Sequence, residues 1–296
     1  MAQVGSGVVF LNGRYLPIEE ATVPVLDRGF IFGDGVYELV PVYSRVPFRL
    51  DEHLSRLERS LAETKIRNPH TRAQWRDIIY RLVDAQPFED QGVYFQVTRG
   101  VAKRDHAFPK GAEPTVFMMA NPLVTPPREL VEKGAAAVSA QDNRWLRCDI
   151  KSISLIGNCL LRQVSAEAGA AETILFRDGR LTEASASNVF VVKRGTILTP
   201  PKSNLILPGI TYDVVTELAQ ANGLPLESRD VDEREVRAAD ELWVTSSSKE
   251  VLAIVSLDGA RVGDGRPGPV FARMYQLYQE FKQKVMRAGK REAVSA

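Results

Sequence analysis

The pattern of apolar and polar positions at the start of the chain predicts a β-hairpin. Two short runs, 8–11 and 14–16, flank the dipeptide Asn12-Gly13. Asn-Gly between such runs is a strong hairpin signal, because both turn residues must accept positive φ. Further strands are predicted at 36–43, 93–98 and 115–120 from their runs of apolar and β-branched residues.

Helical spacing predicts two amphipathic helices in the same half of the chain. The first carries leucines at 54, 57 and 61, and Asp51 is available as its N-cap. The second runs from Trp75 to Val83, with Thr71 as its expected cap. This half of the chain therefore mixes strands with two helices.

A proline-rich segment predicts the domain boundary. Three prolines between residues 121 and 127 remove backbone donors and disfavour both helix and central strand. We therefore expect a domain at 1–121, a linker at 122–128 and a domain at 129–296. The second domain is predicted to hold strands at 135–140, 173–176, 189–192, 196–199, 242–245 and 251–256, and helices at 156–168, 210–221 and 270–285. The predicted class is α+β.

Composition excludes several classes of partner. The 296 residues are 44% hydrophobic and 25% charged with a net charge of +1, which gives no electrostatic reason for nucleic acid or an acidic membrane as partner. No stretch has the length of a membrane span, and residues 1–4 lack the features of a signal peptide. Two cysteines, Cys148 and Cys159, could pair in principle, but we expect a reduced cytoplasmic protein. The spacing of His53, His70 and His106 offers no metal site.

Lys151 and Glu183 are the main candidates for chemistry. A lysine can form a Schiff base with an aldehyde cofactor, and a buried carboxylate can keep a cofactor ring nitrogen protonated. The two residues lie roughly one αβ unit apart, and together they suggest pyridoxal-phosphate chemistry. Alternatively, Lys151 is a solvated surface lysine and Glu183 is a turn residue after Leu181.

Three segments are candidates for binding a phosphate. Ile210 and Thr211 follow Pro208-Gly209 and open a predicted helix, whose free amides and dipole attract an anion. Ser246 and Ser247 lie in a hydroxyl-rich turn after an apolar strand, and Arg56 lies on the first amphipathic helix. The alternatives are that Pro208-Gly209 simply precedes a helix, that Ser246 and Ser247 lie in an ordinary turn, and that Arg56 lies on a solvated helix face.

Arg104 and His106 form a candidate carboxylate receptor. They are two residues apart, so in an extended segment both project to the same side. A guanidinium binds carboxylates in a bidentate manner, and an imidazole can assist it. The alternative is a basic surface loop.

The order of these segments resembles the fold-type IV (class IV) pyridoxal-phosphate aminotransferases, and among them the D-amino acid aminotransferases. The resemblance runs over nearly the whole chain. It is carried by residues 27–30, 32–38, 52–57, 94–100, 144–152, 183–190 and 244–246. It implies a smaller N-terminal α/β domain and a larger, β-barrel-like C-terminal domain with helices, with pyridoxal 5'-phosphate as cofactor.

The resemblance also assigns roles to residues of this chain. It implies that Lys151 forms the internal aldimine and that Glu183 pairs with the pyridine nitrogen. It implies a phosphate site built from Arg56, Ile210, Thr211, Ser246 and Ser247, with Leu207 against the ring. Tyr37, Arg104 and His106 match the substrate-carboxylate pattern of D-amino acid aminotransferases, in which the Arg-x-His loop comes from the partner subunit of a homodimer.

The implied reaction is a ping-pong transamination between D-amino acids, of the D-alanine and D-glutamate type, and 2-oxo acids such as 2-oxoglutarate or pyruvate. Two positions depart from the family pattern: Ala186 stands where a serine is common, and Pro208 where a lysine often occurs. The alternatives are a branched-chain L-amino acid aminotransferase, an aminodeoxychorismate lyase-like enzyme, and a homologue that binds the cofactor without catalysis.

Overall fold

The computed structural model describes residues 7–289, and its internal packing divides the chain into two units. Among the described residues, the first unit comprises 7–123, Ile150–Leu155 and 284–289, and the second comprises Val124–Asp149 and Ile156–Gln283. The short segment Ile150–Leu155 thus belongs with the first unit. The domain limits inferred from the sequence stay a prediction, and residues 1–4, which the signal-peptide argument used, lie outside the described residues.

The first unit is a six-stranded sheet with two main helices. Its elements are β1 (Val8–Leu11), β2 (Arg14–Pro17), α1 (Arg28–Phe32), β3 (Gly35–Tyr43), β4 (Val46–Pro47), α2 (Leu50–Glu63), α3 (Arg72–Asp84), β5 (Gln91–Thr98) and β6 (Thr115–Pro122). The strand order is β2-β1-β6-β5-β3-β4, and all neighbouring pairs are antiparallel. The predicted hairpin, both helices and the three further strands are confirmed.

The helices of this unit bury their apolar faces in one core with the sheet. The leucines of α2 and Trp75 of α3 are almost fully buried in this core. Thr71 caps α3 through a reciprocal capping box with Gln74, as the sequence predicted for the cap. The prediction of Asp51 as the cap of α2 was wrong: the N-cap is Arg49, and Asp51 lies in the first turn, where its charge suits the helix dipole.

The second unit is built on a nine-stranded mixed sheet. Its elements are α4 (Arg128–Lys133), β7 (Ala135–Gln141), α5 (Ile156–Glu167), β8 (Glu172–Arg177), β9 (Arg180–Ala184), β10 (Asn188–Lys193), β11 (Thr196–Thr199), α6 (Ile210–Ala221), β12 (Leu226–Ser228), α7 (Glu233–Arg237), β13 (Glu241–Ser246), β14 (Glu250–Leu257), β15 (Ala260–Arg261) and α8 (Pro269–Phe281). The six strands and three helices predicted here are confirmed. The predicted helix 270–285 corresponds to α8 and the π-helical turn Lys282–Met286.

The large sheet curls back on itself. Its order is β12-β11-β10-β13-β14-β7-β8-β9, so β9 lies at one end while β10 is the third strand from the other end. Three residues connect β9 directly to β10, and the N–H of Ala184 donates to the carbonyl of Ser187 across this turn. The curled sheet agrees with the β-barrel-like architecture expected for this part of the chain.

The structure also answers two smaller questions. Cys148 and Cys159 are both free, the first buried and the second exposed. Among residues 7–289, no helix has the length and apolar character needed to cross a membrane.

Candidate functional site

Lys151 lies beside Tyr37 in the first unit. The main-chain N–H of Tyr37 donates to the carbonyl of Lys151 at 2.9 Å, and the Lys151 Nζ lies 4.2 Å from the centre of the Tyr37 ring. At that distance an ammonium group is attracted to the ring face. Lys151 is half-buried, and its segment is held against the sheet by the bridge between Val36 and Ser152. Lys151 and Tyr37, which were predicted from the sequence to share one site, are therefore adjacent in the structure.

A buried cluster of charged groups follows Tyr37 on β3. Arg56 donates from Nε and Nη2 to the two carboxylate oxygens of Glu38, both at 2.8 Å, and His53 Nδ1 donates to Glu38 Oε2 at 2.8 Å. Burial acts to raise the pKa of Glu38, but the charge of Arg56 and these hydrogen bonds hold it well below its ordinary value. Glu38 therefore stays ionised and fixes the orientation of the Arg56 guanidinium.

The surroundings of His53 in this cluster favour its neutral form. Burial is the main cause that lowers the pKa of His53, and the charges of Arg56 and Lys151 act in the same direction against the attraction of Glu38. Its Nε2 is buried and has no hydrogen-bond partner among the described residues. In a neutral ring that donates from Nδ1, this Nε2 is an acceptor.

Tyr94 faces Tyr37 from the neighbouring strand β5. The two rings lie 5.5 Å apart, and the Tyr94 hydroxyl donates to Gln96 Oε1 at 2.8 Å. Burial, followed by the nearby Tyr37, raises the pKa of Tyr94 to about 12. Tyr94 is therefore a neutral wall next to Tyr37 rather than an acid or base.

Arg104 and His106 both lie against the ring of Phe32. The Arg104 Cζ is 5.3 Å from the Phe32 ring centre, and the His106 ring is 5.5 Å from it. Both residues are exposed. The expectation that these two residues share one side of the loop agrees with their common contact.

In the second unit, Glu183 is a buried carboxyl group on β9. It accepts from Arg144 Nη1 at 2.6 Å on one oxygen, and from the Leu207 N–H at 3.1 Å and Asn188 Nδ2 at 3.3 Å on the other. Burial raises the pKa of Glu183 to about 7 in spite of Arg144. A carboxyl group with this pKa can share a proton with another group at neutral pH. The alternative of a turn residue was wrong, because Glu183 lies within a strand.

Arg144 is itself fixed by a second carboxylate. Its Nε and Nη2 both donate to Asp142 at 2.9 Å, and Asp142 also accepts from Thr182 and pairs with Arg177. The bidentate pair leaves Nη1 directed at Glu183. Arg144 therefore sets both the position and the electrostatic environment of the Glu183 carboxyl group.

The Glu183 carboxyl group is tied to the beginning of helix α6. Leu207, whose N–H it binds, precedes by three residues the first helical residue, Ile210. The N-cap is Gly209, which has no side chain to cap the helix, and Ile210 and Thr211 form its first turn. A Cβ at Gly209 would lie 2.1 Å from Asn188 Oδ1, so any other residue here would require Asn188 or the start of the helix to move.

Ser246 and Ser247 lie where β13 ends and the turn to β14 begins. Ser246 Oγ accepts from the N–H of Lys249 at 3.1 Å, which closes the turn. The preceding residue, Thr245, pairs in register with Asn188, the neighbour of Gly209. The Thr245 Oγ1 is buried and has no hydrogen-bond partner in the described part of the chain.

The predicted site residues thus fall in both units. Lys151, Tyr37, Arg56, Arg104 and His106 belong to the first unit, while Glu183, Leu207, Ile210, Thr211, Ser246 and Ser247 belong to the second. Sequence reasoning gave no role to Glu38, His53 and Arg144. A charged residue within the apolar run 36–40 was a usable signal for Glu38, whereas the roles of the other two depend on tertiary contacts.

Comparison with known proteins gives the class. The family described as "Amino-transferase class IV" matches residues 35–257. The chain therefore belongs to the class IV aminotransferases.

The similar proteins agree with this class. The chain is 43% identical over 262 residues to a D-alanine aminotransferase of Bacillus licheniformis, covering 88% of this chain and 92% of the relative. It is 39% identical over 283 residues to a D-alanine aminotransferase of Listeria monocytogenes, covering 95% and 96%. A solved branched-chain amino acid aminotransferase of T.th. with pyridoxamine 5'-phosphate aligns with a TM-score of 0.88 at 25% identity, covering 94% of each chain.

Proposed function

We propose that this chain is a pyridoxal-phosphate-dependent aminotransferase that moves an amino group between D-amino acids, such as D-alanine and D-glutamate, and 2-oxo acids, such as 2-oxoglutarate or pyruvate. The relatives named D-alanine aminotransferase are 39% and 43% identical, whereas the branched-chain structure is 25% identical. This difference favours the D-amino acid activity over branched-chain L-transamination.

The observation that carries the cofactor assignment is the bond between Glu183 and Leu207. It joins a buried carboxyl group with a pKa of about 7 to the uncapped N-terminus of α6. The Glu183 carboxyl group suits a protonated ring nitrogen, and the N-terminus of α6 suits a phosphate. The buried Thr245 Oγ1 without a partner among the described residues also fits a polar ligand here.

The residues that would hold the cofactor follow from this. In the second unit, the phosphate would be bound by Ile210 and Thr211 amides and by Ser246 and Ser247, with Leu207 against the ring and Glu183 at the ring nitrogen. In the first unit, Lys151 would supply the Schiff-base amine and Arg56 a positive charge for the phosphate. Glu38 supports the phosphate-binding role of Arg56, because it holds the Arg56 guanidinium in one orientation.

The reaction divides between the cofactor and the protein. Pyridoxal phosphate supplies an aldehyde that takes up the amino group and a ring that withdraws electrons. Lys151 Nζ acts as the base that removes the Cα proton of the amino acid donor. In the half-reaction with the 2-oxo acid, it returns a proton to Cα. Glu183 holds a proton at the ring nitrogen, and Arg144 keeps the carboxyl group oriented for this role.

Tyr37, Arg104 and His106 would bind the substrate carboxylate. Phe32 supports this proposal for Arg104 and His106, because it is in contact with both side chains. A guanidinium with a neighbouring imidazole suits a carboxylate, and fixing the carboxylate decides for which enantiomer the single Cα hydrogen faces the base. This places the preference for one enantiomer in the carboxylate site.

We also propose a cytoplasmic homodimer in which Arg104 and His106 reach the partner's site. Exposed apolar residues recur at one face of α5, where Ile156 is 74%, Leu160 64% and Val164 42% exposed. Their spacing of four forms one stripe along the helix. A second copy of the chain is the partner that would cover this stripe and bring exposed loops into contact with a neighbouring site.

Steady-state transamination tests the proposed function. The protein, reconstituted with pyridoxal phosphate, is given 2-oxoglutarate with D-alanine, L-alanine or L-leucine in turn. We expect kcat/KM for D-alanine to exceed both L-amino acids by a large factor and double-reciprocal plots to be parallel, as in a ping-pong reaction. A preference for L-leucine would show that the carboxylate site has been assigned wrongly.

A further inference from the structure

Arg28 is buried next to the loop that carries Arg104 and His106. It begins helix α1, and its backbone is fixed by a hydrogen bond from its N–H to the Gly100 carbonyl at 2.9 Å. The residue is 3% exposed, and its Cζ lies 4.8 Å from the Phe32 ring centre. Phe32 is the same ring that both Arg104 and His106 contact.

The Arg28 guanidinium connects a fixed carboxylate to this loop. Its Nε donates to Asp34 Oδ2 at 2.7 Å, and its Nη1 donates to the main-chain carbonyl of Asp105 at 2.5 Å. A longer contact of 3.5 Å reaches the carbonyl of Ala107. The two carbonyls flank His106, so one side chain holds the loop on both sides of it.

Asp34 is held independently of Arg28. Arg99 donates from Nε and Nη2 to the two oxygens of Asp34, at 2.8 and 3.0 Å. The chain Arg99–Asp34–Arg28 therefore has one end directly after strand β5 and the other at an otherwise exposed loop. A planar guanidinium with donors in fixed directions can serve both ends at once, which a lysine cannot do.

We propose that Arg28 is the positioning residue that sets the main-chain path between Arg104 and His106, and thereby the affinity for the substrate carboxylate. This inference rests on the proposed function, in which these two residues bind that carboxylate. Arg28 acts through the loop and does not touch the substrate. Its effect should therefore appear in KM for the amino acid and the 2-oxo acid, with kcat and the cofactor unchanged.

The test compares three variants of the holoenzyme. Arg28→Lys keeps the positive charge beside Asp34 but loses the separate guanidinium donors that reach Asp34 and the loop. Arg104→Leu removes the residue proposed to bind the substrate carboxylate. Arg45→Lys is the matched control, because Arg45 donates to the carbonyls of a different turn, at Val83, Asp84, Gln86 and Phe88. We expect Arg28→Lys to raise KM for D-alanine and for 2-oxoglutarate about 10- to 100-fold, with kcat and visible cofactor absorbance retained, and Arg45→Lys to leave KM unchanged.

The outcomes separate this inference from the proposed function. A raised KM in Arg104→Leu with none in Arg28→Lys overturns the positioning role and leaves the carboxylate site standing. An unchanged KM in both variants overturns the carboxylate site and this inference with it. A fall in kcat, cofactor retention and Tm together in Arg28→Lys would show a general structural role and overturn the proposal. If that variant does not fold, Asp34→Asn, which keeps the arginine but weakens its anchor, must raise the same two KM values.

Discussion

Glu183 and Leu207 are joined by a hydrogen bond of 3.1 Å between a buried carboxylate oxygen and a main-chain N–H. The bond connects strand β9 to the loop that opens helix α6, so the carboxyl group and the helix N-terminus have a fixed relationship. A cofactor with a ring nitrogen at one end and a phosphate at the other needs such a fixed relationship.

The raised pKa of Glu183 predicts a pH dependence of stability in the cofactor-free protein. Its ordinary value of 4.5 is raised to about 7 in the folded state, so the folded protein binds this proton more tightly than the unfolded chain. The stabilisation is complete below pH 4.5 and is lost as pH rises through 7. In Glu183→Gln this contribution is absent. We expect the free energy of unfolding of the native protein, relative to this variant, to fall between pH 4.5 and 7.

Denaturant unfolding of the two proteins across that range checks this prediction. Carboxyl groups with lowered pKa values, such as Glu38 and Asp142, lose their stabilising effect only at lower pH and are common to both proteins. Their contribution therefore cancels in the difference. Parallel stability curves for the native protein and Glu183→Gln would contradict the pKa of Glu183.

Gly209→Ala should weaken cofactor binding. A Cβ at this position would lie 2.1 Å from Asn188 Oδ1, so the first turn of α6 or Asn188 must move. Because Asn188 Nδ2 also donates to Glu183 and to the Leu207 carbonyl, the shift would disturb both the proposed ring-nitrogen site and the proposed phosphate site. We expect the Kd for pyridoxal phosphate to rise about 10-fold or more.

A matched glycine controls for the added methyl group. At Gly92, in strand β5, the nearest atom to a new Cβ is Leu39 Cδ1 at 3.5 Å, an ordinary contact. Gly92→Ala should therefore keep the native affinity for pyridoxal phosphate. Equal affinities in both variants, measured by fluorescence titration of the cofactor-free proteins, would argue against a phosphate site at the start of α6.

Lys151→Ala should abolish transamination. Without its amine, the protein has no base at Cα and no covalent link to the cofactor aldehyde, so we expect turnover to fall about 10³-fold or more together with loss of the Schiff-base absorbance. Lys133→Ala is the control, because Lys133 is an exposed lysine paired with Glu129 on α4. A visible absorbance band that persists in Lys151→Ala after removal of free cofactor would show that another amine is involved.

Leu160→Glu should break the proposed dimer. The residue lies at the centre of the exposed stripe on α5, and a buried charge there would be unpaired. We expect sedimentation equilibrium to give the monomer mass, with turnover lost because Arg104 and His106 no longer reach a partner. Ala166→Glu adds the same charge at an exposed position of α5 about 120° around the helix from Leu160, and this variant should remain dimeric. A dimeric Leu160→Glu protein would place the interface elsewhere.

Much of the fold could be predicted from local patterns. The hairpin at Asn12-Gly13, the capping of α3 by Thr71 and the bounds of α6 follow from signals within a few residues. Strand β9 was missed because its five residues, Arg180–Ala184, are flanked by polar turns and carry no clear alternation. Its strand identity depends on pairing with β8.

The candidate site was harder to predict from the sequence than the fold. Lys151 and Glu183 could be proposed because their chemistry is specific, and the contact of Lys151 with Tyr37 joins two of the proposed residues. The partners that set their electrostatics could not be found this way. Arg144 reaches Glu183 across 39 positions of sequence, and Arg28 reaches Asp105 across 77, so both contacts exist only in the folded chain.

The chirality of the amino acid product tests the central claim most directly. The holoenzyme is incubated with D-glutamate and pyruvate, and the alanine formed is resolved on a chiral column. The proposed D-amino acid aminotransferase gives D-alanine and 2-oxoglutarate in equal amounts. Formation of L-alanine, or of alanine only when L-glutamate is the donor, would contradict the account.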